Sequence, residues 1–135
     1  MNNAGKAQGK PANVKHNREI GSEGEALAAG YLQAKGYAIL SRNWRYGHKE
    51  IDIIARLGDC LVIVEVKTRT GTSFGDPVAS ITLRKQALLI QAAEAYLFAQ
   101  DLDLDVRFDV IVVARKKTGS ALEHIVDAFH PVAGG

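Results

Sequence analysis

The segment from Cys60 to Lys67, CLVIVEVK, constrains this chain more than any other part of its sequence. Side chains alternate along a strand, so Leu61, Ile63, Glu65 and Lys67 share one face while Val62, Val64 and Val66 share the other. Both faces begin apolar and need cover; only the carboxyl end turns charged. Val106 to Ala114 is a second near-continuous apolar run, as expected for a strand buried on both faces. With 135 residues the chain has length for one domain, which must place helices over both faces of a sheet.

Residues 1 to 18 are rich in Asn, Gly, Lys and Ala, with Pro11 and scarcely a large apolar side chain. They cannot offset the entropy of ordering and read as a flexible basic tail ahead of a single domain over 19–131. Ser22 followed by Glu25 has capping-box spacing, and Leu27, Tyr31 and Leu32 continue at helical period until Gly36, so a first helix is expected near 22–35. Strands are expected over 37–46, 50–55 and 60–68, the last two forming an antiparallel hairpin through Gly58 and Asp59. The stretch 69–78, with Gly71, Gly75 and Pro77, reads as a loop, and 80–100 reads as a second helix. A strand over 106–114, a turn over 116–120 and a short edge strand over 125–129 complete the chain. The expected fold is α/β: an antiparallel three-strand unit, a helical crossover to a parallel strand, and helices flanking the mixed sheet.

Composition narrows the function classes. Hydrophobic residues make up 47% and charged residues 24%, without an apolar run of about 18 residues that could span a bilayer or an amino-terminal secretory stretch. Cys60 alone provides neither a disulfide nor a thiolate zinc site, and a reducing cytoplasm fits best. His16, His48, His124 and His130 lack metal-ligand spacing, and no Gly-rich phosphate loop follows a strand. The net charge is +2, but the first 20 residues hold Lys6, Lys10, Lys15 and Arg18 against Glu19. The remainder carries 13 basic and 14 acidic side chains, so contact with nucleic acid must come from a local patch or the tail.

If Gly58 and Asp59 are the two loop residues, the hairpin register sets Asp52 opposite Glu65 and Glu50 opposite Lys67. Directly opposed Cβ atoms stand about 5 Å apart, where like charges destabilise unless a proton or cation lies between them. Mg²⁺ or Mn²⁺ fits such a place, because hard cations take carboxylate oxygens at roughly 2.1 Å. Lys67 beside the pair suits phosphodiester hydrolysis, where a metal activates water and an amine orients it or accepts a proton. The alternative is a solvated cross-strand charge cluster, worth a few tenths of a kcal/mol to about 1 kcal/mol per pair.

The run GHKEIDIIARLGDCLVIVEVKTR over 47–69, with GSEGEALAAGYL over 21–32, FGDP over 74–77 and RFDVI over 107–111, resembles the YraN-like bacterial proteins. That family is similar to Holliday-junction resolvases of the restriction-endonuclease-like superfamily. The resemblance spans about residues 18–130 and implies a restriction-endonuclease-like sheet and a Mg²⁺- or Mn²⁺-dependent endonuclease acting on DNA, branched or otherwise non-B structures included. Residue by residue, it implies that Asp52 and Glu65 are metal ligands, that Lys67 is the catalytic lysine, and that Glu25 of the first helix joins the site. Glu25 also has a structural reading, as partner of Ser22 in the capping box. The family's usual Gly-Glu-Ile-Asp is replaced here by Gly47, His48, Lys49, Glu50, Ile51 and Asp52, which lengthens the turn ahead of Asp52.

Around this centre, Arg42, Asn43 and Arg45 interleave with Trp44 and Tyr46, and Arg69 begins a loop, so these groups are candidates for phosphate contacts. The alternative is that Trp44 packs in the core. Lys85 stands in the first turns of the second helix, where a cation opposes the macrodipole; it is either a phosphate contact or a side chain that snorkels to water. Phe74 is read as packing on its own domain rather than wedging into nucleic acid, and Asp109 as a structural strand-end residue. A DNA nuclease is the leading expectation. A non-catalytic nucleic-acid-binding module on the same fold, or an interaction protein without a nucleic-acid role, are the others. Paired cuts would require a homodimer, because one hairpin site cuts one strand.

Overall fold

The run Cys60–Thr70 forms the central strand of a mixed sheet in the computed structural model, which describes residues 11–70 and 76–130, with backbone alone over 11–20. Helix α1 (Pro11–Ala34) precedes three antiparallel strands, β1 (Ala38–Tyr46), β2 (Lys49–Leu57) and β3 (Cys60–Thr70). Helix α2 (Leu83–Ala99) then crosses to β4 (Asp105–Lys116), and β5 (Gly119–Ile125) closes the sheet. The sheet order is β1-β2-β3-β4-β5, and only β3 and β4 run parallel. The α/β class and the mixed sheet therefore follow the sequence reading.

Alternation sorts the core into two halves. Leu61, Ile63, Ile54, Phe108 and Val110 pack beneath Leu89, Ala92, Ala93 and Tyr96 of α2. Val62, Val64, Ile53, Ala55, Ile111 and Val113 pack beneath Ala28, Ala29 and Leu32 of α1. Both faces of β3 and β4 are thus dry, which is why these runs lack the polar alternation of one-sided strands.

Three expectations need correction. Helix α1 is already formed at Pro11, the first described residue, and does not begin near Ser22. Residues 11–18 are accordingly helical, and residues 1–10 of the expected tail lie outside the described residues. Ser22 and Glu25 sit inside the helix, so they form no capping box. The fifth strand is Gly119–Ile125 and not 125–129. Its pairing from Lys116–Gly119 to Val110–Ile125 needs only backbone groups, which an edge strand with polar side chains supplies. The apolar residues beyond it anchor a non-strand segment: Phe129 stacks on Phe108 at 5.2 Å, and the Ala128 N–H donates to the Phe108 carbonyl. The residues added ahead of Asp52 do not lengthen the turn. Tyr46 pairs with Lys49 across Gly47 and His48, Gly47 taking a φ of +61° that suits glycine.

A polar knot ties the outer strands to the α1 side. Asp109, buried in mid-β4 rather than at a strand end, accepts two hydrogen bonds from Arg107, one from the Asp127 N–H at 3.0 Å, and pairs with His124 Nε2 at 2.6 Å. Arg107 also donates to the Tyr37 hydroxyl, and His124 Nδ1 meets that of Tyr31. Burial alone would raise the Asp109 carboxyl, but the Arg107, Asp127 and His124 contacts outweigh it and hold the group below its ordinary 3.8. The stability it contributes is present above that value and lost as pH falls below it. Replacing Asp109 by Ala strands a guanidinium and an imidazole without their acceptor. The expected loss is about 3–5 kcal/mol, read from the urea midpoint at pH 7, and a loss under about 1 kcal/mol would mean the knot is not structural.

Candidate functional site

Asp52 and Glu65 meet at the end of the hairpin, where the ladder stops. Leu57 pairs with Cys60 as expected, and the register runs to Ile53 opposite Val64. The next pair in that register is Asp52 and Glu65. In place of ladder bonding there, the Asp52 carboxylate accepts the Val66 N–H at 2.8 Å. Glu65 is buried, its side chain 5% exposed, and its Oε2 lies 2.9 Å from Lys85 Nζ of α2. Glu50 does not reach Lys67; it pairs with Arg45 at 3.0 Å.

A break in strand alternation produces this arrangement. Ile51 and Ile53 should share a face, yet Ile51 packs under α2 and Ile53 under α1. Directly across β1, between the pairs Arg42–Ile53 and Trp44–Ile51, Asn43 has φ +56°. Arg42 is thereby turned toward Glu25 on α1, Nη2 to Oε1 3.9 Å, while Trp44 packs edge-on against Tyr96 of α2. The left-handed conformation is one that asparagine tolerates better than most side chains, and its place in the aromatic run was the available signal for the kink.

Glu25 reaches the site because α1 lies close against β3 at Gly24. A Cβ at Gly24 would clash with Thr68 Oγ1, so any larger residue there forces the Thr68 side chain or the helix to shift. Burial pushes the Glu25 carboxyl up, with Glu50 and Glu65 adding to the rise, against the pull of Asn43 and Arg42. The Asp52 carboxyl is pushed up to about 7, first by burial and then by Glu65; the Val66 N–H draws it down, Glu25 raises it and Lys85 lowers it. Three carboxylates from α1, β2 and β3 thus feel one another in one place.

Lys85 does more here than either sequence reading allowed. A cation in the first turn of a helix costs about 0.3–1 kcal/mol against the dipole, whereas a buried carboxylate left without a partner costs several kcal/mol. The second effect wins, and the ammonium sits on Glu65. Lys67, half-buried two residues along β3, has no ion-pair partner among the described residues. Of the expected phosphate contacts, Arg42 and Arg45 are engaged with Glu25 and Glu50, and Arg69 lies half-buried near the carboxyl end of β3. Trp44 packs on the core, as its alternative reading held, and Phe74 lies outside the described residues.

The donor set is carboxylate oxygen throughout, which fits a hard divalent cation better than zinc or copper. No group of three or more His, Cys, Asp or Glu among the described residues stands close enough to make an all-protein cage. Mg²⁺ does not need one, since it binds through one or two carboxylates and keeps waters and substrate phosphates as its other ligands. Asp52 and Glu65 satisfy that requirement.

Residues 24–113 match the family described as Uncharacterised protein family UPF0102. A UPF0102 protein of Phocaeicola vulgatus is 47% identical over 118 residues, 87% of this chain and 97% of the relative. One from Flavobacterium psychrophilum is 45% identical over 87% of this chain and 98% of its own, and one from Chlorobium chlorochromatii is 47% identical over 82% and 91%.

Two outcomes test this geometry. Between 3.8 and about 7 the folded protein keeps an Asp52 proton that the unfolded chain has released, so stability falls as pH rises through that window. The slope reaches at most about 1.4 kcal/mol per pH unit, and Asp52→Asn should flatten it in denaturation series from pH 4.5 to 7.5. An unchanged slope would place the raised group elsewhere. Gly24→Ala should destabilise by about 1–3 kcal/mol, even though alanine gains up to about 1 kcal/mol in helix propensity. Adding Thr68→Ala should recover the loss in thermal denaturation; no recovery would show that the Thr68 contact is not the reason for the glycine.

Proposed function

This chain belongs to the uncharacterised protein family UPF0102, and we propose that it is a Mg²⁺- or Mn²⁺-dependent endonuclease that hydrolyses DNA phosphodiesters. The observation that carries this reading is the electrostatic coupling of Asp52, Glu65 and Glu25, with Lys67 two residues along β3 from Glu65 and without an ion-pair partner among the described residues. Asp52 and Glu65 would hold the cation, and Glu25 would support it from α1 through water. The bound ion supplies Lewis-acid stabilisation of charge on the phosphoryl and leaving oxygens. Lys67 donates hydrogen bonds that hold the attacking water in line with the phosphorus, and its positive charge favours the negative transition state. Asp52 and Glu65 must both be ionised to hold a cation, so activity rises as pH passes about 7 in the absence of excess metal.

DNA binding needs phosphate contacts that supply donors and positive charge rather than sequence readout. Arg42 and Arg45 on β1, Arg69 near the carboxyl end of β3, and Lys85 beside Glu65 are the candidates for those contacts. Branched DNA is the proposed preferred substrate, on the resemblance to junction resolvases, and paired cuts on it call for a homodimer. None of the described helices is long and apolar enough to cross a membrane.

Purified protein assayed on linear, nicked, flapped and four-way DNA with Mn²⁺ should cleave at least one of them. Asp52→Asn and Lys67→Ala should each lower the rate by about 10²-fold or more, the scale of a lost general acid–base or electrostatic group. Cleavage unchanged in both variants would sink the mechanism. Equal DNA affinity for wild type and Lys67→Ala, with no cleavage by either, would point instead to a non-catalytic binding module.

A further inference from the structure

Lys85 is the one cation in contact with a buried carboxylate of the site among the described residues, and it comes from α2 rather than from the hairpin. Its Nζ lies 2.9 Å from Glu65 Oε2, and the electrostatic pull of the same ammonium extends to Asp52. The two ends of this pair are placed differently: 5% of the Glu65 side chain is exposed, against 31% of the Lys85 side chain. Glu65 cannot turn out to water. Lys85 can, because it rises from the third residue of α2, whose backbone is pinned by the Lys85 N–H donating to the Thr82 hydroxyl.

We propose that Lys85 is the resident counter-ion of Glu65 when no divalent cation is bound, and that a cation must displace its ammonium to reach that carboxylate. This rests on reading Asp52 and Glu65 as cation ligands. The ammonium and the metal ion compete for the same buried negative charge, so the pair keeps the empty site folded at the expense of cation affinity. Lys85 thereby sets the concentration at which the site fills. It is a positioning residue for Glu65, distinct from Lys67, whose ammonium carries no such pair among the described residues.

The full chain, stripped of metal by chelation, is to be compared with Lys85→Met, Glu65→Gln and the double variant at pH 8. Thermal denaturation reads the metal-free state and calorimetric titration with MnCl₂ reads cation binding. Lys85→Met should lower the metal-free Tm, and Glu65→Gln in the same chain should restore most of it, because no buried charge then lacks a partner. Lys85→Met should also bind Mn²⁺ roughly tenfold more tightly than wild type, the scale of one removed charge–charge competitor. Lys85→Gln, which is neutral but can still donate to Glu65, should show the same tightening with a smaller fall in Tm. A metal-free Tm unmoved by Lys85→Met, or a loss that Glu65→Gln does not restore, overturns the counter-ion role. Mn²⁺ binding by wild type with equal or weaker binding by both Lys85 variants overturns the displacement alone. No Mn²⁺ binding by any of the five proteins overturns the cation reading of the site, and the displacement with it.

Discussion

Strand β3 is hydrogen-bonded along both edges and covered on both faces, and that double burial governs the rest of the molecule. It fixes a helix above and a helix below, because Leu61 and Ile63 on one side and Val62 and Val64 on the other all need apolar cover. It also makes any charge on the strand expensive until the cover runs out. Glu65 stands where the ladder to β2 ends but the cover does not, so its charge must be matched by something the fold brings to it. A site is built at this point because the sheet cannot leave the carboxylate alone.

The matching groups come from every neighbouring element. The kink shared by Asn43 and Asp52 turns β1 and β2 so that their residues serve opposite faces above and below that level. Asp52 is thereby free of ladder bonding and takes the Val66 N–H, while Arg42 turns to α1. Glycine at position 24 lets α1 come close enough for Glu25 to join, and α2 supplies Lys85. The result is frustrated electrostatically: three carboxylates, one firmly bound ammonium, and an Asp52 proton held to about pH 7. That frustration at one end of the sheet is the feature on which the proposed cation site rests.

Element types were legible in the sequence wherever burial wrote a period. The two-sided strands β3 and β4, the hairpin turn at Gly58 and Asp59, and helix α2 all follow from apolar spacing and turn chemistry. The start of α1 was not legible, because a Ser22–Glu25 spacing that mimics a cap outweighed an upstream segment poor in apolar residues. Strand β5 was missed since an edge strand needs only its backbone to pair, and 125–129 attracted attention for apolar residues that serve as anchors instead. In the site, register alone brought Asp52 toward Glu65. The contact between Lys85 and Glu65 spans a helix crossover that no local pattern encodes, and the face change at Asn43 depends on one φ angle. Asp109 is structural, as its place in RFDVI suggests, but its knot with Arg107 and His124 lies in mid-strand.

Central to the proposed function is that Asp52 and Glu65 are two carboxylates in one buried place, with Lys85 the one ammonium set against them among the described residues. Carbon-13 NMR titration of the Asp52 carboxyl, with and without Mg²⁺, tests it most directly. The metal-free midpoint should lie near 7, and saturating Mg²⁺ should bring it down by more than about one pH unit, as an opposite charge beside a carboxylate does. A midpoint near the ordinary 3.8 without metal, or one near 7 that Mg²⁺ leaves in place, would contradict it.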